Sequence, residues 1–370
     1  MGKRISLFAA PGLPAHGGTG AATTACPSVS GIMPTCDGAE HLTATIESVL
    51  SQTFSDWELV IVDDCSRDGT RELLAGLRDP RIRAVLLDEK LGPVEARNRA
   101  FAEARGRYVA ALDQVDRSAP TRFAKQVAFL DAHLDFVLVA SEVAPLEDGE
   151  IDASTLSRGL APEGIDWLLQ LCNPLVWSSV MFRADAARRL TPFERADLGH
   201  AEDFDLYQRL RQYGRLAQIH EDLTVHRMQP GDASTRFPEV MAANGRRVLM
   251  EAHQRLTGNA SDTEADLLLR HVMRREPVPS MVELCELFDV IGRLYQAFVA
   301  RHPLSDTGLD AVDKLVGQLW WETAREALRS GALPLRSTMA VLPRGVSKRF
   351  GNRADLMVSG PVGGIRRMRA

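Results

Sequence analysis

Carboxylates fall at recurrent places in this chain of 370 residues. Asp63 and Asp64 close the apolar run Trp57–Val62, Asp113 and Asp116 follow Tyr108–Leu112, and Pro34-Thr35 close Val29–Met33. A later group, Glu202, Asp203 and Asp205, opens an amphipathic stretch. Such side chains can accept hydrogen bonds from a polar ligand, take up a proton or hold a cation. Taken singly each is also an ordinary local signal. Asp64 followed by Ser66, Asp68 and Gly69 reads as a turn and helix cap, and acidic residues suit any helix N-terminus. Their meaning depends on whether the elements that carry them converge.

From Pro27 onward, short apolar runs alternate with amphipathic ones. Val29–Met33, Trp57–Val62, Ile82–Leu87 and Tyr108–Leu112 predict strands. Leu42, Ile46, Val49 and Leu50 mark one helix face, and further helices are expected near residues 70–77 and 93–105. This alternation makes βαβ units with right-handed crossovers and a mainly parallel, Rossmann-like α/β sheet. Ligands bind such sheets at the carboxyl ends of the strands, so the acidic residues predict one polar crevice. Phe136–Ala140 and Leu175–Phe182 are further strand candidates, and Ala201–Tyr213 reads as a helix stopped by Gly214. Helical periodicity with intervening Pro or Gly then marks Val240–Leu256, Asp262–Arg274, Met281–Val299 and Leu309–Leu328.

Four segments are expected: a leader at 1–26 with no apolar period, an α/β domain at 27–235, a smaller helical domain at 236–343, and a tail at 344–370. Hydrophobic residues at 45% and charged ones at 25% exclude collagen-like and fully disordered chains. A net charge of −5 argues against bulk nucleic-acid binding. Cys26, Cys36, Cys65, Cys172 and Cys285 show no metal-type spacing and suit a reducing compartment. No apolar run approaches the ~18 residues of a membrane span, so a cytoplasmic location is expected. The tail carries Arg344, Lys348, Arg349, Arg353, Arg366, Arg367 and Arg369 against Asp355. At about 1 kcal/mol per basic residue it could hold the protein at the inner face of a membrane, and a solvated tail reads as well. Gly18 and Gly20 follow no strand and lack a third glycine, which removes the main support for a nicotinamide-dependent dehydrogenase.

Three runs carry a more specific signal: PSVSGIMPTCDGAEHLTATIESVLSQTFSDWELVIVDDCSRDGT, LGPVEARNRAFAEARGRYVAALDQVD and AEDFDLYQRL. Their order and intervals, over about residues 27–230, resemble the signatures of family 2 glycosyltransferases of the GT-A fold. The resemblance implies inverting transfer of a sugar from a nucleotide-diphosphate sugar, commonly a UDP-sugar, to an acceptor hydroxyl of a polysaccharide, lipid-linked or protein-linked glycan. It implies a nucleoside site along Pro34, Thr35 and Asp37, with Asp64 hydrogen-bonding the base. Asp203, beside Glu202, matches the catalytic base, and its place in the first turn of a helix is expected to favour the charged form. Asp113 would lie against the donor.

Two departures bear on the metal that the resemblance implies, Mn²⁺ or Mg²⁺. The usual Asp-x-Asp-Asp reads Asp113-Gln114-Val115-Asp116, and the histidine that often follows Tyr-Arg-x is Gln229 in His226-Arg227-Met228-Gln229. Asp113 and Asp116 remain as candidate ligands, with reduced affinity expected. Arg227 is then the expected partner of the leaving diphosphate. The same departures motivate a second reading, a degenerate GT-A protein that binds a nucleotide sugar or a partner glycosyltransferase without turnover. Trp177 is a candidate acceptor contact, whereas Trp320 and Trp321 read as core.

Overall fold

The structure is a computed structural model that describes residues 26–145, 158–227, 237–335 and 338. The expected leader up to residue 25, Gln229 and the basic tail lie outside the described residues. Strands β1 (Val29–Thr35), β2 (Trp57–Asp63), β3 (Ile82–Leu86) and β4 (Tyr108–Ala111) pair in parallel, with the apolar runs of β1, β2 and β4 buried within the sheet and β3 half-exposed at its edge. Helices α1 (Ala39–Leu50), α2 (Thr70–Gly76) and α3 (Pro93–Glu103) connect them. Thr35 pairs with Asp63 and Ile32 with Ala111, so Pro34, Asp64 and Asp113 emerge at one sheet edge.

The rest of the sheet is mixed. It contains β5 (Arg117–Ser118), β6 (Phe136–Pro145), β7 (Met181–Arg183) and β8 (Arg215–His226), in the order β3-β2-β1-β4-β7-β6-β8-β5. β7 runs antiparallel to both β4 and β6, and β5 is antiparallel to β8. The strand expected over Leu175–Phe182 is therefore short. A 3₁₀ turn at Trp177–Ser179 precedes it, and the Trp177 indole is buried and donates to the Leu112 carbonyl at 3.3 Å. Trp177 packs in the core, which removes the expected acceptor contact. β8 was not anticipated, because its pairing with β6 shifts register where Glu221 and Asp222 interrupt the apolar alternation.

Helices α4 (Arg122–Ala132), α5 (Pro162–Leu168), α6 (Ala184–Ala187) and α7 (Glu202–Leu210) complete this part. Helices α8 (Pro238–Thr257), α9 (Asp262–Leu268), α10 (Met281–Arg301) and α11 (Asp306–Arg329) follow. The helix expected over Asp262–Arg274 changes at Leu269–Met273 into a π turn, closed by the Arg274 amide donating to the Leu269 carbonyl five residues back at 2.9 Å. The C-terminal helices do not build a separate core. One apolar cluster runs from Val60 and Val109 through Trp167 and Phe204 to Phe298 and Trp320. Trp167 of α5 meets Tyr295 edge-on at 5.9 Å and Phe298 at 5.5 Å, both on α10. Trp320 and Trp321 are buried as expected. Among the described residues, no helix is long and apolar enough to cross a membrane.

A shared core predicts shared unfolding. Trp167→Ala should cost about 3–5 kcal/mol, and urea titrations followed by fluorescence and by circular dichroism should give one coincident transition with a lowered midpoint. Two separated transitions would show that the helical part folds independently.

Candidate active site

The end of β1 is clamped to the loop after β4 by one side chain. Gln114 Oε1 accepts from Thr35 Oγ1 at 2.7 Å and from the Cys36 amide at 2.9 Å, and its Nε2 donates to the Cys36 carbonyl at 3.3 Å. Glycine at position 38 permits this, since a Cβ there would sit 2.5 Å from Gln114 Oε1. Asp37, at φ 50°, accepts the Arg67 amide on Oδ1 at 2.7 Å. Asp64 is buried, and its two oxygens accept the amides of Leu91 at 2.6 Å and Gly92 at 2.9 Å. Gly92 takes φ 92°, which a side chain would strain, so Asp64 holds a glycine-dependent turn at the start of α3.

A cavity of about 370 Å³ gathers residues from both ends of the fold. Pro34 and Asp113 reach it from the sheet edge, Pro93 and Arg97 from α3, Glu202 and Asp203 from α7, and Met241, Gly245 and Met273 from the C-terminal helices. Asp203 Oδ2 accepts from Asn173 Nδ2 at 2.9 Å, and Oδ1 accepts the Phe204 amide at 2.7 Å. Burial raises its pKa, against the pull of the Arg97 guanidinium. The direction is opposite to that expected from a helix N-terminus alone, because desolvation of the carboxylate outweighs the first-turn amides.

Arg97 is the hub of this region. Its Nε lies 3.0 Å from Glu194 Oε2, its Nη2 bonds Glu202 Oε1, and its guanidinium stands 5.0 Å from the centre of the Trp177 ring. Glu202, expected with Asp203 among the catalytic residues, is the buried counter-ion of Arg97. Glu194 is fully buried, and burial pushes it up to about 7 despite Arg97. The backbone amide of Glu194 donates to Asn98 Oδ1 at 2.9 Å, while Asn98 Nδ2 returns a bond to the Glu194 carbonyl at 3.0 Å. Arg97 and Asn98 were both within the run that carried the resemblance, but nothing in their spacing announced acids about a hundred positions away.

Asp116 does not face a metal site. One oxygen accepts from Ser178 Oγ, His226 Nδ1 lies 2.9 Å from the other, and the Arg227 amide donates to Oδ1 at 2.9 Å. Below it, the fully buried Arg122 donates to the Ala111 and Val180 carbonyls at 3.0 Å each. Arg227 leaves a buried Nε without a hydrogen-bond acceptor among the described residues. Asp113 keeps one oxygen clear of its 3.2 Å contact with the Val115 amide, and burial together with Asp116 pushes it up to about 6. No cluster of three potential ligands occurs among the described residues. Of the two candidates Asp113 is the one that keeps an available oxygen, and a divalent cation held there would take its remaining oxygens from water and the donor's phosphates.

The strand ends of the α/β sheet thus meet a helix-borne aspartate in one cleft. Residues 30–191 match the family model described as glycosyl transferase family 2. The chain is 31% identical over 182 residues to the Escherichia coli UDP-Glc:alpha-D-GlcNAc-diphosphoundecaprenol beta-1,3-glucosyltransferase WfgD, covering 48% of this chain and 68% of that one. It is 34% identical over 160 residues to the Rhizobium meliloti succinoglycan biosynthesis protein ExoO, covering 43% and 44%. The structure resembles S. aureus TarS in complex with UDP-GlcNAc, with a TM-score of 0.54 at 18% identity over 85% of this chain and 90% of that one. A Pyrobaculum calidifontis mannosyltransferase in complex with GDP-Man and Mn²⁺ gives 0.52 at 17% identity, covering 93% and 88%. The chain belongs to glycosyl transferase family 2, with the GT-A fold. It spans less than half the length of some relatives, 42% and 44% in two cases.

The raised Glu194 fixes a sign. The folded protein keeps a proton on Glu194 that the unfolded chain releases near the ordinary glutamate value of about 4.3, so between that pH and about 7 its contribution to stability falls as pH rises. The denaturation midpoint of Glu194→Gln should fall less across this window than that of the wild type. Identical slopes would place an ionised Glu194 in the fold.

Proposed function

We propose that the protein is an inverting glycosyltransferase that moves a sugar from a nucleotide-diphosphate sugar, a UDP-sugar by preference, to a hydroxyl of a cell-surface polysaccharide or lipid-linked glycan. The observation that carries this reading is the single cavity shared by Pro34 and Asp113 on the sheet side and Asp203 on the helix side. The names of WfgD and ExoO support the acceptor class. The nucleoside would lie along Pro34, Thr35 and Asp37, whose backbone Gln114 and Ser66 hold in place, with Asp64 beside it. Five free thiols agree with a reducing, cytoplasmic setting, and the basic composition of residues 344–370 favours a peripheral contact with an anionic leaflet.

In this reading Asp203 is the base. Both of its oxygens already accept one bond, and each carboxylate oxygen has capacity for a second, so an acceptor hydroxyl can donate without displacing Asn173 or the Phe204 amide. As that proton passes to Asp203, the hydroxyl oxygen attacks the anomeric carbon from the face opposite the diphosphate, and the bond from that carbon to the phosphate oxygen breaks. The raised affinity of Asp203 for a proton makes it a stronger base, and Arg97 opposes the rise. Charge developing on the leaving diphosphate is met by Arg227, whose position beside Asp116 is set through its own amide.

Asp203→Asn should lower kcat by about 10²- to 10⁴-fold while leaving nucleotide binding intact. In the wild type the acid limb of kcat/KM should lie above the ordinary carboxylate range, because the proton must leave Asp203 before it can act. Unchanged turnover in Asp203→Asn would remove Asp203 as the base, and donor binding without turnover in the wild type would favour the non-catalytic reading. A separate experiment tests Arg227: transfer should survive a chelator and fall about 100-fold or more in Arg227→Ala. Complete silencing by chelator with rescue by Mn²⁺ would refute that assignment.

A further inference from the structure

The cavity wall made by the C-terminal helices differs in chemistry from the rest. Met241 and Gly245 project from α8, Met273 ends the π turn, and Phe204 lies beside Asp203. His200, at φ 68°, lines the same cavity, and its ring stacks on Phe237 with centroids 4.7 Å apart and planes 13° apart. Burial and Arg97 lower its pKa, which favours the neutral imidazole. Opposed to the charged sheet edge, this is a polarisable, apolar surface within reach of a general base.

Two features of the backbone make room for it. Gly245 lies in the interior of a helix of 20 residues, where glycine costs about 0.5–1 kcal/mol relative to alanine. A Cβ at Gly245 would meet only ordinary contacts, 3.5 Å to Met273 Cε and 3.6 Å to Leu269 Cδ1, so packing alone does not require glycine there. Gly245 lines the cavity with backbone alone, beside the Met273 side chain. The π turn Leu269–Met273 interrupts the regular helix just where it supplies Met273 to the cavity. Such turns cost hydrogen-bond regularity and recur at functional sites.

We infer that the wall formed by Met241, Gly245 and Met273, edged by the His200–Phe237 stack, is the seat of the acceptor's sugar ring. The inference rests on the reading of Asp203 as the base and deepens it. A pyranose has an apolar face of C–H groups and a rim of hydroxyls. Its C–H face suits thioethers and aromatic rings, while a rim hydroxyl turned away from that wall reaches the carboxylate. A diphosphate has no such face, and of the residues proposed for the donor Pro34 and Asp113 line the sheet side of the cavity, while Thr35, Asp37 and Arg227 are not among its lining residues. The wall also comes from positions beyond residue 191, where the family match ends. Pro34 and Asp113 on the donor side fall within that match, whereas Met241, Gly245 and Met273 fall outside it.

Methionine-methyl NMR tests this on the full chain without requiring turnover. With ¹³C-methyl methionine, and with Met241 and Met273 assigned by their leucine variants, UDP should leave both resonances unmoved. Methyl glycosides of glucose, galactose, mannose and N-acetylglucosamine, each at about 100 mM to exceed a millimolar Kd, should shift both for at least one sugar. Gly245→Leu, or Met273→Ala if the leucine variant does not fold, should weaken that sugar about tenfold or more and change UDP binding less than about twofold. No shift with any glycoside, or shifts driven by UDP, would overturn the inference. The same glycoside titration in Asp203→Asn separates the two ideas, since loss of the base leaves the wall intact: persistent shifts there with unchanged turnover would sink the base assignment and leave the seat standing.

Discussion

One buried guanidinium holds the site together. Arg97 reaches from α3 to Glu194 and Glu202 and stands close enough to Asp203 to oppose the effect of its burial. Removing two glutamates from water is costly unless each finds a cation and hydrogen bonds. The segment from residue 194 to α7 therefore has one favourable position against α3, and Asp203 is delivered to the cavity by it. Asn98, next to Arg97, reinforces the arrangement through its paired bonds with the Glu194 backbone. A second tie works alike on the other flank, where Asp116 joins the loop after β4 to Ser178 and to the end of β8.

Asp203 illustrates how magnitudes decide between two effects. A helix N-terminus contributes about 0.3–1 kcal/mol to an exposed carboxylate, whereas burial can shift a carboxyl group by several pKa units. In this cavity burial prevails, and Arg97 restores part of the difference. The same competition appears at Asp113, where burial and the neighbouring Asp116 act in one direction. At Glu194 burial again prevails over the Arg97 guanidinium, and the neighbouring Asp203 adds to a rise that reaches about 7.

Much of the α/β part was legible because local signals agreed. Apolar runs from β1 to β4 match their strands closely, since the parallel strands β1, β2 and β4 are buried inside the sheet and must be nearly continuous in apolar residues. The positions of Pro34 and Asp113 followed from that register. β7 and β8 were less legible. Their ends are set by a buried Trp177, by antiparallel pairing and by bulges, all of which depend on residues distant in sequence. The C-terminal helices were visible as helices, but their union with the sheet in one core was not, because periodicity marks an apolar face without saying what covers it.

The residues of the candidate site divide in the same way. Sequence alone determined which side chains stand at strand ends and at the head of α7, since those depend on periodicity, capping and the order of short motifs. It also determined that Val115 cannot serve as a ligand. Tertiary structure decided what the carboxylates do: Asp64 binds a turn, Asp116 binds β8, Glu202 pairs with Arg97, and Asp203 faces the cavity with room for another donor. The physical reason is that the type of residue sets what a carboxylate can accept, while its neighbours in space set how much of that capacity is already used and how strongly the charged form is opposed.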